Sequence, residues 1–494
     1  MLLLRSRDFP HIQTSLYWMV LALWGFSGFA PFQTAHAGDH YRIDKSISQR
    51  AETGWENASQ IWEWAEPGYQ EVQSSKLLAD WLEQEGFRVQ RGVAEIPTAF
   101  TAEFGDGGPV IAILGEYDAL PGLSQNPVPY QEPDPDRTYG HGCGHHLFGV
   151  AGALAAMAVA DEIRAGNVEG TIRFYGCPAE EGGSAKVFLV RAGLFDDVDI
   201  ALHWHPSSLN GAGDRSTLAR IAARFRFHGT AAHAAGAPEQ GRSALDGVEM
   251  MNFGVQLMRE HIPQDARIHY VITSGGEAPN VVPAFAEVYY YVRHPSSHVV
   301  QQLYDRVVKC ARGAATATET EVEIAHEGGI VEILPNVVLS EVIRRHLHEL
   351  NNLELREEDA PFALKLQETL KQPKSLETLS QVQNQSGEVG MGSTDVGDVS
   401  WVVPTAGFNV ACWVPGTPGH SWQAVACGKS DLARQGMLLA ARVLAHAAIE
   451  IMHSPDIRDA ARKEFTRRTE KRPYQPLITP EQQPPLDYRN PTSK

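Results

Sequence analysis

Val110-Ile111-Ala112-Ile113-Leu114-Gly115-Glu116-Tyr117-Asp118-Ala119-Leu120-Pro121 is the stretch that decides the fold. Its first five residues are continuously apolar and short, the pattern of a strand buried on both faces of a sheet. The strand runs straight into two carboxylates, and open α/β sheets place their chemistry at the C-terminal ends of strands. Two more runs repeat the pattern. Thr171 to Tyr175 ends in Gly176-Cys177-Pro178-Ala179-Glu180-Glu181-Gly182-Gly183, and Val198 to Leu202 ends in His203-Trp204-His205-Pro206. Three successive strand ends deliver metal-type or acid–base side chains, which predicts an α/β sheet with a site along one edge.

Working outward, Tyr139-Gly140-His141-Gly142-Cys143-Gly144-His145-His146 sets one thiol and three imidazoles among glycines. Thiolate and neutral imidazole are good ligands for Zn²⁺ and similar ions. Cys143 and His145 converge if the segment is extended or tightly turned, and the glycines permit such a backbone. The plain alternative is a polar loop ahead of an alanine-rich helix. Glu180 and Glu181 are adjacent carboxylates, so one needs a cation or a raised pKa. That suits a pair in which one ligates metal while the other moves a proton; the alternative is a solvated acidic turn. His420 lies in the rigid turn Pro415-Gly416-Thr417-Pro418-Gly419-His420-Ser421-Trp422, where a lone histidine is more often structural.

Elsewhere the periodicity predicts helix over Asp39–Gly86, Gly149–Ala165, Val337–Leu350 and Leu432–His453. From about Leu218 the texture changes. Strand-like Ala222–His228, a helix over Ser243–His261, strands at Ile268–Thr273 and Ala286–Val292, a helix over His298–Ala314 and a strand at Glu321–Ala325 follow in β-α-β-β-α-β order. That order predicts an inserted ferredoxin-like α+β domain. The expected divisions are a signal segment at 1–37, a catalytic domain at 38–217 and 331–470, the insertion at 218–330 and a Pro-rich, loosely held tail at 471–494. Lys371–Glu388 reads as an exposed polar loop.

The chain has 494 residues, 43% of them hydrophobic, enough for a large core and about two domains. A formal charge of −18 argues against a nucleic-acid partner and against a membrane surface. Arg5, Arg7 and His11 precede a mostly apolar run from Leu16 to Phe32 that ends in Ala35-His36-Ala37, a small-x-small cleavage site. We expect cleavage before Gly38 and export to a periplasm, with an uncleaved anchor as the alternative; once cleaved, the protein has no integral membrane role. Five cysteines, at 143, 177, 310, 412 and 427, leave at least one thiol unpaired, and a metal-bound Cys143 accounts for it.

Taken together, the words GEYDALPG, HGCGHH, PAEEGG, WHP, HGTAAHA, GRSALDGVEMM, GGEAPNVVP, GSTDVGDVSW and GTPGHSW carry a resemblance. In this order, from about residue 55 to 450, they resemble the dinuclear metallopeptidase and amidohydrolase family of aminoacylases, glutamate carboxypeptidases and hippurate or auxin-conjugate hydrolases, in particular its aminobenzoyl-glutamate hydrolase subgroup. The resemblance implies an α/β/α catalytic domain with an inserted dimerisation or lid domain, a homodimer, and two divalent ions, Zn or Mn. It implies Cys143, His145, Glu181, His205 and His420 as metal ligands, Glu180 as general base and Asp118 as support for the ligands. His233 would stabilise the oxyanion across a dimer interface, and Asn280 and Arg293 would bind a substrate carboxylate. Many relatives carry His-x-Asp where this chain has Glu116 and Asp118, so Glu116 is left outside the ligand set. His203 and His205 compete for one position, and the WHP word favours His205.

The expected activity is hydrolysis of the amide bond of small N-acyl amino acids, with an aromatic acyl group of the aminobenzoyl-glutamate kind. A dipeptidase or general aminoacylase is the rival within enzymes, and an exported metal-dependent binding protein the rival outside them. A pure binder has no use for a base at Glu180.

Overall fold

A computed structural model describes residues 37–489. The expected leader up to residue 36 lies outside the described residues. The helix expected over Asp39–Gly86 is two helices, α1 (Ala37–Trp64) and α2 (Val72–Gln84). The break falls at Ala65-Glu66-Pro67-Gly68, where Ala65 takes φ 43° and Pro67 bars helix from the residue before it. Strands β1 (Arg88–Arg91), β2 (Phe100–Asp106) and β3 (Val110–Gly115) follow, then the small hairpin β4 (Leu120–Pro121) and β5 (Tyr139–Gly140). Next come α3 (His145–Arg164), β6 (Gly170–Gly176), α4 (Ala185–Arg191), β7 (Ile200–Ser207) and β8 (Asn210–Ala212).

The fold-deciding strand lies inside the main sheet, where β3 pairs in parallel with β6 on one side and with β7 on the other. Its residues alternate between two cores. Ile111 and Ile113 pack with α1 and α3, whereas Ala112 and Leu114 pack with Val187, Phe188 and Leu189 of α4. Each of the fully buried side chains of Ile111, Ile113 and Leu114 contributes about 1.5–3 kcal/mol. The His203-Trp204-His205-Pro206 segment, expected beyond a strand end, is itself the second half of β7. Alternation therefore sends Trp204 into the core, where its indole N–H donates to the Phe148 carbonyl, and leaves His203 and His205 on the opposite face.

The chain then enters β9 (Ala219–His228), α5 (Ala244–Met258), β10 (Arg267–Ser274), β11 (Phe285–His294), α6 (Ser297–Thr318) and β12 (Glu321–Ile330). These strands form a separate four-stranded sheet of order β10-β11-β9-β12, antiparallel throughout. That is the ferredoxin-like arrangement expected from element order. Phe225, Phe227, Val288 and Val292 face α5 and α6 and make a second core.

The return segment supplies α7 (Val337–Leu350), α8 (Ala360–Gln367), β13 (Val382–Asn384), α9 (Val396–Ser400), β14 (Thr405–Ala411), α10 (Trp422–Cys427), α11 (Asp431–His453) and α12 (Pro455–Thr469). The main sheet runs β1-β2-β6-β3-β7-β14-β8-β13. The polar stretch Lys371–Glu388 thus contributes an edge strand, anchored by buried Leu379. Helices α3 and α11 are apolar enough to cross a membrane, but they are 89% and 83% buried inside the protein, so they are core helices. The Pro-rich tail is not loose over its described part. Leu477 and Ile478 are buried, and the Tyr474 hydroxyl donates to Asp398 Oδ1 at 2.7 Å.

Candidate active site

The site lies where the main sheet's strand ends meet the N-terminus of α3. Gly144 takes φ +77° and turns the chain into that helix, and a Cβ there would sit 2.8 Å from Pro206. The helix begins at His145, four residues earlier than expected, so its first turn presents His145 to the site. Two ligand-bearing segments are joined by a backbone bond, His420 N–H to the Gly142 carbonyl at 2.9 Å. Ala179 and His420 hold positive φ angles of 54° and 55°, a strained backbone of the kind that clusters at functional sites.

Both imidazoles of the inner cluster are oriented from behind. His145 Nδ1–H donates to Asp118 Oδ1 at 2.8 Å, and His205 Nδ1–H donates to the Pro206 carbonyl at 2.6 Å. Each Nε2 is thereby left as a lone-pair donor, the arrangement metal-binding histidines use. His205 Nε2 lies 3.3 Å from Cys143 Sγ, and His145 Nε2 lies 3.1 Å from Glu116 Oε2. His420 Nε2 lies 3.0 Å from Glu181 Oε1. Asp118 also accepts from the Glu181 backbone N–H at 2.9 Å, so one carboxylate fixes two neighbours. Three cation-sized ligand groups emerge: Cys143, His145 and His205; Cys143, Glu181 and His420; and Glu116, His145 and Glu180.

The structure thus brings Cys143, His145, Glu181, His205 and His420 together with Glu180 and Asp118. His203 lines the same cavity but packs against Gly407 of β14 and joins none of these groups. Burial pushes it down to about 3, so it is neutral. Arg293 lines the cavity, whereas His233 and Asn280 lie on the exposed surface of the inserted domain and do not. His233 bridges to Val281, and its Nδ1 accepts from the Ala235 and Gly236 N–H groups at 3.2 and 3.0 Å. The remaining ring proton is therefore assigned to Nε2, which is left to donate.

Electrostatics separates the adjacent carboxylates. Burial, then Glu116 and Glu181, push the Glu180 carboxyl well above the usual range. Burial also raises Glu181, but the bond to His420 and the nearby His145 outweigh it and hold this carboxyl low. Sequence reasoning missed a buried network behind Glu116. Lys186 Nζ donates to Glu116 Oε1 at 2.6 Å and to Asp395 Oδ1 at 2.7 Å, with all three residues almost wholly buried. The one available signal was a lysine inside the apolar run Ala185-Lys186-Val187-Phe188-Leu189. Glu116 itself joins the site with its other oxygen.

Metal fits this donor set. Glu116 Oε2, His145 Nε2 and Glu181 Oε1 are buried without a well-formed hydrogen bond, and their near neighbours are other ligand-type groups, His145 Nε2 against Glu116 Oε2 and His420 Nε2 against Glu181 Oε1. Buried polar atoms ordinarily find partners, and a thiol, imidazoles and surplus carboxylates are what divalent ions take. Among the described residues all five cysteines are free, so Cys143 is not consumed by a disulfide.

A mixed sheet whose strand ends gather a thiol, imidazoles and carboxylates, with a second, ferredoxin-like sheet in the same chain, defines an α/β protein with a metal-type site. The chain belongs to peptidase family M20/M25/M40, whose model matches residues 112–441, and so to a family of amide-bond hydrolases. It is 42% identical over 461 residues to one of the p-aminobenzoyl-glutamate hydrolase subunits of Escherichia coli (strain K12), covering 87% of this chain and 96% of that protein. It is 31% identical over 440 residues to Xaa-Arg dipeptidase of Mus musculus, covering 86% and 91%. In fold it is similar to a dinuclear metal binding peptidase of family M20 from Bacillus subtilis, with a TM-score of 0.55 at 17% identity, covering 85% of this chain and 99% of that one.

Proposed function

We propose that this chain hydrolyses the amide bond of N-acyl amino acids with aromatic acyl groups, p-aminobenzoyl-glutamate being the model substrate. The reading rests on the buried ligand-type atoms of Glu116, His145 and Glu181, which meet only other ligand-type groups within cation-sized clusters. The relative named for that substrate, 42% identical, supports the acyl group. Cys143, His145, Glu181, His205 and His420 would hold two divalent ions, with Glu116 offering its free oxygen to the same space. When bound, such ions acidify water and polarise the scissile carbonyl.

The chain's own groups do the rest. Glu180 takes the proton of the attacking water and passes it to the leaving nitrogen, so the amine departs neutral. Asp118 fixes His145 and the Glu181 backbone. His233, donating from Nε2, stabilises the oxyanion in the partner subunit's site, which requires a homodimer and assigns residues 218–330 as dimerisation and lid domain. Asn280 and Arg293 hold the substrate's carboxylate. The leader of residues 1–37 directs export to a periplasm.

The test is hydrolysis by chelator-stripped protein refilled with Mn²⁺ or Zn²⁺, across p-aminobenzoyl-glutamate and other N-acyl amino acids. Turnover restored by metal and led by aromatic acyl groups is expected. Equal turnover by the stripped protein would overturn the reading.

A further inference from the structure

The face of β9 and β11 turned away from α5 and α6 looks into the same cavity as the metal-type cluster, a space of about 1410 Å³. Arginines crowd it. Arg224 and Arg226 share Glu287 at 2.8 Å each, with Glu327 adding a second carboxylate to Arg224 and Glu323 one to Arg226. Arg215, Arg220 and Arg293 are different. Each lines the cavity, each has a buried Nε without a partner, and no side chain of the three makes a hydrogen bond or ion pair among the described residues. Arg220 is only 8% exposed.

Two of these lie directly opposite one another, since Arg293 and Arg220 are register partners across β11 and β9. Both guanidinium groups flank the ring of Tyr291, at 5.3 and 4.8 Å from its centroid. Like charges directly opposite on a sheet destabilise it. Here they persist in a chain whose formal charge is −18, where carboxylates are abundant and none has been placed between them. A pair of forks without a carboxylate partner, one buried and one half-buried, facing a cavity large enough for a substrate, is arranged to receive anions.

We propose that Arg220 forms a second carboxylate subsite beside the one assigned to Arg293, so that the enzyme selects amino-acid halves bearing a side-chain carboxylate as well as the α-carboxylate. Arg215 adds to the positive field of the cavity. The proposal rests on the amide-hydrolase reading and narrows it to acyl derivatives of acidic amino acids. A cationic amino-acid half would meet three unpaired guanidinium groups and be repelled.

The experiment compares p-aminobenzoyl-glutamate with p-aminobenzoyl-glutamine, which differs by one charge, in the wild type and in Arg220→Met. The methionine keeps an unbranched stem against Tyr291. The wild type should favour the glutamate compound by roughly 10²-fold in kcat/KM. Arg220→Met should lose at least roughly thirtyfold on it, mainly through KM, the low end for removing one partner of a buried charge pair. On the glutamine compound it should change little. Equal losses on both compounds, or a preference that survives, would overturn the proposal. Should the methionine variant fail to fold, Arg220→Lys carries the same comparison, with a smaller glutamate-specific loss expected and no such loss overturning it. Calorimetric binding of free glutamate against free glutamine is the second readout. A wild type that hydrolyses neither compound yet binds glutamate through Arg220 would refute the proposed reaction and leave the subsite standing; one that binds both alike would refute the subsite.

Discussion

Glu180 and Glu181 share one turn but face different partners, and that difference sets their chemistry. Glu181 is held low by His420 and His145, while burial and the carboxylates of Glu116 and Glu181 drive Glu180 up. Glu180→Gln should keep its fold and its bound metal and lose roughly 10²–10⁴ in turnover, the usual size of a general acid–base contribution. Elemental analysis beside kinetics checks this, and loss of metal would exchange the roles of the two glutamates. The residues that meet in the site were legible because their types are rare at strand ends and their words are specific. Cys143, His145, Glu181, His205 and His420 were each marked by glycine, proline or a neighbouring carboxylate. The Lys186 network was not legible. A buried cation is recognised only through the partners that folding brings to it, and Asp395 comes from more than two hundred residues away.

At the scale of elements, the continuously apolar strands and amphipathic helices announced themselves through local pattern. What local pattern missed is set by distant packing. Strand β7 runs on through polar residues because β14 pairs with it from Thr405 to Ala411. The tail is held by contacts made far from it in sequence, ending with Tyr488 and Arg489 donating to the Glu181 carbonyl at 3.2 and 2.8 Å. Asp398 on α9 is its anchor, accepting from Tyr474 and from the Val331 N–H at 3.2 Å. Burial pushes this carboxyl up to about 8, with Asp395 adding to it and the two hydrogen bonds opposing it. The folded protein therefore keeps a proton that the unfolded chain, titrating near about 4, gives up. Stability from this group is full below about pH 4 and is lost as pH rises towards about 8. Asp398→Asn should flatten that part of the slope, so the gap in melting temperature between wild type and variant should shift in the variant's favour from pH 5 to pH 8. A gap that does not move with pH would contradict a protonated Asp398.

For the whole molecule, the account depends on how the inserted domain is used. His233 and Asn280 share one exposed patch, joined by the Ala234 N–H to the Asn280 carbonyl at 3.0 Å, and neither lines its own cavity. A second copy that presents this patch to the cavity would complete the site. His233→Ala and Glu180→Gln should each be nearly inactive alone, and mixed dimers should recover activity because one of their two sites keeps both residues. Mixed dimers that form yet stay inactive would refute action in trans. Element order made the inserted fold legible, but pairing between copies is a property of surfaces, which sequence patterning does not encode.

The most direct test of the central claim is a metal titration of the chelator-stripped protein with p-aminobenzoyl-glutamate as substrate, following aminobenzoate release against ions bound per chain. The account predicts no turnover without metal and a plateau at two ions per chain. Full turnover in the metal-free protein, or no release at any metal loading, would contradict it.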